Sequence, residues 1–240
     1  MTRLVQNAFL AIVVLVLSAS ACLAQQRLPG LSPGQQSQLK SMAEETRKET
    51  ERARGDISRA RRELAQVYAV YELDDEKAST LLRRINAAQQ TLLDTHFESQ
   101  IALRNILSQD QFEAMRKRMG RGGKHQSPED SALGPSVDER RFRGLGIERE
   151  HMNRLAKSRS EEATTLERLR RESQKLLTAY SEYDLDESEA KRLITSIHSE
   201  QVRLSLMSKS RQQTIRNSLT REQFERFVRS EQRPGQRRPR

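Results

Sequence analysis

Apolar and small residues recur every three or four positions through most of this chain, the spacing that places them on one face of an α-helix. The first such face is thin because several members are Ala or Thr, and Gly55 within it predicts a kink or loose point. Leu73-Asp74 separates it from a second face, and a short third helix is predicted from Ser108. Long helices of roughly 30 residues, about 45 Å each, predict an elongated hairpin. The first face comprises positions 39, 42, 46, 50, 53, 57, 60, 64, 67 and 71, and the second Ala78, Leu81, Leu82, Ile85, Leu92, Leu103 and Ile106.

The same plan returns 112 residues later. The segment Tyr68-x-x-Tyr71-x-Leu73-Asp74 recurs as Tyr180-x-x-Tyr183-x-Leu185-Asp186, and 17 of the 50 positions from 64 to 113 are identical to their counterparts without a gap. Shared helix periodicity alone does not account for this many identities. The repeat therefore predicts an all-α fold of two tandem, elongated helical-hairpin modules, each with a short terminal helix.

Composition and periodicity divide the chain into five segments. Residues 1–24 are predicted to be a signal peptide, 31–119 module one, 120–144 a flexible linker rich in Gly, Pro and Ser, and 145–231 module two. The Pro- and Arg-rich residues 232–240 are predicted to form a disordered basic tail.

The N-terminus has the pattern of a secretory signal. Arg3 precedes the apolar run Ala8–Leu17, which is too short to span a bilayer of about 30 Å, and small residues follow up to Ala24. Cleavage after Ala24 would give a soluble protein without cysteine. The alternative is a lipid anchor at Cys22, the only cysteine, after the weak lipobox Ala19-Ser20-Ala21. Both alternatives place the protein in the periplasm without a disulfide framework.

The charge of the chain limits the classes of partner that we expect it to bind. The formal net charge is +10 and aromatic residues make up only 4%. A basic surface attracts acidic polypeptides and anionic membranes, and salt weakens that attraction. Because the chain is predicted to be exported and lacks an interleaved aromatic series, no nucleic-acid partner is expected.

Three short motifs follow the pattern Leu-Ser/Thr-x-x-Gln. The hydroxyl can accept from the backbone of the third residue on, and the Gln can reach back to the N-cap amide, as in a capping box. Their order and number resemble the LTxxQ motif of the Spy/CpxP family of periplasmic proteins. Asp186-Glu-Ser-Glu189 predicts a further box. The motif residues are Leu31, Ser32 and Gln35; Leu107, Ser108 and Gln111; and Leu219, Thr220 and Gln223.

The resemblance implies a function as well as a fold. Members of the family include ATP-independent chaperones, inhibitors of envelope-stress signalling and metal-responsive proteins. The chaperones are antiparallel dimers of thin helical protomers with a basic, partly apolar surface. This chain is therefore expected to hold unfolded or envelope proteins, without a cofactor, and its modules to pair within one chain or between chains. Two alternatives remain: a metal-responsive sensor or metal-binding resistance protein, and a structural coiled-coil envelope adaptor.

Candidate binding residues are arginines on the first helix of each module. They are either a solvated face or a surface that attracts clients. No nucleophile–base pair, phosphate loop or carboxylate pair stands out, so no catalytic residue is expected and the protein is not expected to be an enzyme. The four histidines form no HxxxH pair, and no metal site is expected, although His151 with Met152 could contribute to one. The candidate arginines are Arg59, Arg61, Arg62, Arg168, Arg170 and Arg171.

Overall fold

A computed structural model describes residues 30–122 and 149–232. Within these ranges the chain forms helices and turns, and no residue lies in a strand, which confirms the all-α prediction. Each module contributes two long helices and a short one. The helices are α1 Pro33–Tyr68, α2 Asp75–Ile106, α3 Gln109–Gly122, α4 Arg149–Ala179, α5 Glu187–Ser218 and α6 Arg221–Gln232. The predictions for the signal segment with Cys22, for positions 123–148 and for the tail beyond 232 lie outside the described residues.

Helix α1 begins at Pro33, a residue favoured at the first helical position because its missing N–H would have no intrahelical partner there. It continues for 36 residues, about 54 Å at 1.5 Å per residue, to Tyr68. Gly55 lies within this continuous helix, and the kink or loose point expected there stays a prediction. Its buried face carries the small residues Ala53 and Ala60, which let another helix approach closely.

Helices α1 and α2 pack against each other as the first hairpin, and α4 and α5 form the second. The buried stripes of the hairpins are the apolar faces that the periodicity predicts. Ala60 on α1 and Ala78 on α2 are completely buried, as is Ala190 on α5. Small residues at these places keep the two helices of a hairpin close, so a thin core suffices.

Aspartate N-caps start the second helix of each hairpin. Asp74 accepts a hydrogen bond from the Lys77 backbone, and Asp186 from the Glu189 backbone, both at 2.9 Å. The prediction that the Glu189 side chain bonds back to the Asp186 backbone, as in a full capping box, is wrong. The Glu189 carboxylate instead accepts from Arg192 one turn later, at 2.5 and 2.6 Å, because Arg192 is a charged donor on the same helix face.

The two hairpins meet along α2 and α5, which run antiparallel. The Ser205 hydroxyl donates to the Asn86 side-chain oxygen at 2.8 Å. Nearer one end, the Lys209 ammonium contacts Asp75 at 2.6 Å and Ser79 at 2.7 Å. The modules therefore contact each other within one chain, with the turn of each hairpin beside the terminal helix of the other.

Candidate functional site

The motif residues cap the helices that follow them. Ser32 and Gln35 exchange two hydrogen bonds at 3.0 and 3.2 Å. Ser108 and Gln111 do the same at 3.0 and 3.4 Å. Thr220 and Gln223 repeat the arrangement at 2.9 and 3.3 Å. Leu107 and Leu219 are buried beside these caps.

Two of the motif glutamines also make hydrogen bonds between helices, which the capping pattern does not predict. The amide nitrogen of Gln35 donates to the Ile106 carbonyl at 2.8 Å and to the Gln111 side-chain oxygen at 3.0 Å. The Gln111 amide in turn donates to the Gly30 carbonyl at 2.8 Å. Two motif copies thus join the start of α1 to the start of α3 and close this end of module one.

Arg104 on α2 forms a joint with the turn of module two. Its Nε donates to the Tyr183 carbonyl at 2.9 Å, and Nη2 donates to the carbonyls of Tyr180 and Glu182 at 3.1 and 2.6 Å. Its Nη1 is held by the Gln100 carbonyl at 2.6 Å. The rigid guanidinium fork suits three carbonyls converging from one turn. We call this contact the Arg104 joint.

Arg216 on α5 forms the corresponding joint with the turn of module one. Its Nε donates to the Tyr71 carbonyl at 3.0 Å, and Nη2 donates to the carbonyls of Tyr68 and Val70 at 2.9 and 2.8 Å. Gln212 accepts from Nη1 through its carbonyl at 2.8 Å. Arg216 is 7% exposed. The Arg216 joint and the Arg104 joint relate the modules by an approximate twofold symmetry.

Tyrosine hydroxyls add a second bond at each joint. Tyr71 donates to the Leu219 carbonyl of the other module at 3.1 Å, and Tyr183 donates to the Leu107 carbonyl at 3.0 Å. Both acceptors terminate a long helix, where carbonyls lack an intrahelical partner. Tyr71 and Tyr183 thereby connect the two modules.

Phenylalanines of the short helices complete both joints. Phe112 packs edge-on against the Tyr183 ring and Phe224 against the Tyr71 ring, each at 5.6 Å between centroids. The guanidinium of Arg104 lies 4.8 Å from the Phe112 centroid, and that of Arg216 lies 4.7 Å from the Phe224 centroid. These distances are within the range of cation–π attraction.

The six candidate arginines do not form one surface. In module one, Arg59 pairs with Asp56 at 2.5 Å and Arg62 donates to Ser58 at 2.8 Å, both within α1. Arg61 is half-buried, and this burial lowers the pKa of its guanidinium. Only the module-two candidates Arg168, Arg170 and Arg171 are exposed without a hydrogen-bond or ion-pair partner among the described residues.

Two of these arginines belong to an exposed row along α4. Residues at 157, 161, 164, 168, 171 and 175 follow the helical spacing of three and four and are all exposed. The row contains Lys157, Arg168, Arg171 and Lys175, with Glu161 as its single acid. We call it the basic row. At the equivalent positions of α1 stand four acids and two arginines, so the charge pattern has diverged between the modules. The α1 residues are Glu45, Glu49, Arg52, Asp56, Arg59 and Glu63.

The histidines of the described ranges do not assemble a metal site. His96 packs edge-on against Tyr180 at 5.0 Å, and burial lowers its pKa to about 4. His198 lies on α5, where its Nδ1 is buried. Within the described ranges, no group of three or more His, Cys, Asp or Glu could hold a metal ion. His125 and the side chains of His151 and Met152 are outside the described part.

The fold and these joints define an all-helical protein of two hairpin modules docked on one another. Residues 10–114 match the model of a family described as heavy-metal resistance, which lies in the helical superfamily that includes Spy and CpxP. The match covers most of module one and less than half of the chain. No curated protein and no solved structure matches the chain.

None of the helices in the described ranges combines the length and the apolar character that crossing a bilayer requires.

Proposed function

We propose that this protein is an ATP-independent periplasmic chaperone that holds unfolded or envelope polypeptides through the basic row of α4. The N-terminal signal pattern and the family match support the periplasmic location. The chain would combine in one polypeptide the two subunits from which the chaperones it resembles are assembled. Neither a nucleotide nor a catalytic group is part of this proposal.

The observation that carries the proposal is the exposed charge of the basic row. Its four cations face solvent with one carboxylate among them. Lys175 also pairs with Glu172 at 2.9 Å, whereas Arg168 and Arg171 have no hydrogen-bond or ion-pair partner among the described residues. Such a row attracts acidic segments of an unfolded chain and speeds their encounter. Leu206 on α5, which is 60% exposed, supplies an apolar contact on the same module.

The in-register identities of the repeat also support a binding role. The identical residues that we can assign, among them Arg104 and Arg216, Tyr71 and Tyr183, and Phe112 and Phe224, all stabilise the scaffold. The net charge of the exposed row on α4, by contrast, differs from that at the equivalent positions of α1. A shared scaffold with divergent surfaces is what two halves of a binding protein require.

Light scattering from an aggregating, chemically denatured client tests this function. The purified protein at substoichiometric to equimolar ratio should suppress the scattering without ATP, and the suppression should weaken as salt screens the row. The double variant Arg168→Glu with Arg171→Glu should protect several-fold less, because it reverses the row's net charge.

A matched control separates local from overall charge. Lys48→Glu with Arg52→Glu makes the same change in net charge at two exposed positions of α1, four residues apart. This control should protect like the wild type. If both double variants lose the same amount of protection, net charge and not the basic row accounts for the effect. If the protein suppresses no aggregation at any salt concentration, the proposal is contradicted.

Metal resistance is the second candidate, and the family match at residues 10–114 favours it. A resistance or sensor protein should bind zinc, nickel or copper ions with a fixed stoichiometry in a calorimetric titration. The chaperone proposal expects no tight stoichiometric site. Running both assays on one preparation distinguishes the two functions.

A further inference from the structure

At the Arg104 joint, a histidine of one module packs against a tyrosine of the other. The His96 ring on α2 meets the Tyr180 ring edge-on, with 5.0 Å between the centroids. Nδ1 of His96 and the hydroxyl of Tyr180 are both buried, and neither has a hydrogen-bond partner among the described residues. The Tyr180 carbonyl accepts from Arg104 at 3.1 Å. His96 therefore packs against a residue whose backbone the joint itself holds.

Two arginines place positive charge near this pair of rings. The Arg104 guanidinium bends back along α2 and donates to the Gln100 carbonyl at 2.6 Å, one helical turn from His96. Nη1 of Arg116 on α3 lies 3.5 Å from the Tyr180 carbonyl. Burial, and then the charge of Arg104, lower the pKa of His96 to about 4. The closed joint therefore accommodates the neutral imidazole and disfavours its charged form.

No carboxylate is bonded to the His96 ring in the part of the chain that the structure describes. The stretch of α1 that packs here buries the uncharged Thr50. The Asp94 carboxylate, on α2 itself, is exposed and accepts from Gln90 at 2.7 Å. A proton on His96 would therefore add a positive charge that no bonded acid neutralises. The remaining charged side chains of this region are the partly buried Glu49 and Arg54 beside Thr50, and Lys191 of α5, which lies 5.4 Å from the Phe97 ring centroid.

The Arg216 joint has no group at the place equivalent to His96 that takes up a proton between about pH 7.5 and about pH 5. Ser208 is the counterpart of His96 in the repeat, and it is exposed. The pair of Lys209 with Asp75, at 2.6 Å, lies at this end of the molecule. The hydrogen bond from Lys209 lowers the pKa of Asp75, which therefore stays ionised above pH 3.8. Mild acid thus adds a buried charge at one joint and not at the other.

The Arg104 joint also covers apolar surface of α2. Leu93 and Phe97 lie on either side of His96 along this helix. Both pack against a core cluster of module two that includes Leu176 and Ile197. Separation of the modules at this joint would bring both side chains into water.

We propose that mild acid opens the molecule at the Arg104 joint by protonating His96, while the Arg216 joint stays closed. The open form binds the proton at the ordinary histidine pKa of 6.5 and the closed form only at about 4, so the proton favours opening as the pH falls. The ratio of open to closed molecules should rise about ten- to thirty-fold between about pH 7.5 and about pH 5. The opening does not depend on the proposed function. Where that function holds, Leu93 and Phe97 offer an unfolded chain an apolar contact in acid.

Fluorine NMR of the full-length protein labelled with 3-fluorotyrosine tests this opening. The chain has four tyrosines, and each joint holds two of them, Tyr180 with Tyr183 and Tyr68 with Tyr71. In acid, Tyr180 and Tyr183 should gain a second set of signals, which a neutral gadolinium chelate broadens because opening brings these rings into water. Its population should rise by the factor given above, while the signals of Tyr68 and Tyr71 stay unchanged. Single Tyr→Phe variants assign the four signals.

Three variants identify the group that takes up the proton. His96→Phe keeps an aromatic ring against Tyr180 and removes the titration, so acid should no longer increase the second signals. His198→Gln is the matched control, because it removes a histidine with a buried Nδ1 on α5, and it should respond like the wild type. Arg104→Lys loosens the joint and keeps its charge. It should show more of the open form at both pH values, with the same rise in acid.

Four results would overturn the proposal. Equal changes at all four tyrosines would indicate a general loosening of the fold. An acid response that persists in His96→Phe would assign the proton to another group. A shift of Tyr180 without second signals at Tyr183 would place the proton on His96 in a closed joint. No acid response in the wild type or in Arg104→Lys would show that the joint stays closed. The aggregation assay tests the proposed function separately, whichever of these results is found.

Discussion

Replacing Arg216 by Ala tests how the two modules are held together. The change leaves the carbonyls of Tyr68, Val70 and Tyr71 without their donor. An unsatisfied buried acceptor costs about 1–3 kcal/mol. Because this turn lies at an end of the molecule where water can reach some of the carbonyls, we expect the lower end of that range for each. The expected total is about 3 kcal/mol, or about 6–12 °C in melting temperature for a protein of this size.

Urea unfolding followed by far-UV circular dichroism measures this loss. Arg216→Lys keeps the charge without the guanidinium fork and should lose an intermediate amount. Arg170→Ala removes an exposed arginine without a described partner and should change stability by about 0.5 kcal/mol or less. If Arg216→Ala is as mild as Arg170→Ala, the joint does not hold the modules. If Arg216→Lys restores full stability, charge alone suffices and the fork argument is refuted.

Three further changes have defined outcomes. Gly55→Ala should raise the free energy of unfolding by about 1 kcal/mol in denaturant titration, since the site is helical and an added Cβ would meet only the end of the Arg59 side chain, at 3.5 Å. Burial lowers the pKa of His96 to about 4, so the unfolded chain takes up the extra proton and stability should fall as pH drops from 6.5 towards 4. His96→Phe should make the free energy of unfolding less dependent on pH in this range. The hydrogen bond from Lys209 lowers the pKa of Asp75. The ionised Asp75 therefore stabilises the fold above pH 3.8, and this stabilisation is lost as the pH falls through the lowered pKa. Asp75→Asn should remove this contribution to the decline of the melting temperature at acid pH.

The helices and their caps follow from local sequence because they depend on short-range physics. The apolar spacing marks which faces are buried, and the predicted caps at Ser32, Ser108 and Thr220 all form. Glu189 shows the limit of this reasoning. Its carboxylate can reach either the N-cap amide or Arg192, and it accepts hydrogen bonds from Arg192, the charged donor one turn away.

The joints could not be derived from local sequence, since they connect residues far apart in the chain. Arg104 and Arg216 look like solvated helix arginines, and only their in-register identity hinted at a shared task. The candidate clusters at Arg59–Arg62 and Arg168–Arg171 were chosen as binding residues from composition alone. Composition does not show that Asp56 pairs with Arg59 or that Ser58 accepts from Arg62.

Binding of a permanently unfolded polypeptide tests the central claim most directly. Fluorescence anisotropy of a labelled, reduced and carboxymethylated client can be titrated with the protein at about 50 mM and about 500 mM salt. We predict binding without nucleotide that weakens at the higher salt, and that weakens more in the Arg168→Glu, Arg171→Glu variant than in the Lys48→Glu, Arg52→Glu control. No binding at either salt concentration, or equal affinities of the two variants, would contradict the claim that the basic row holds unfolded clients.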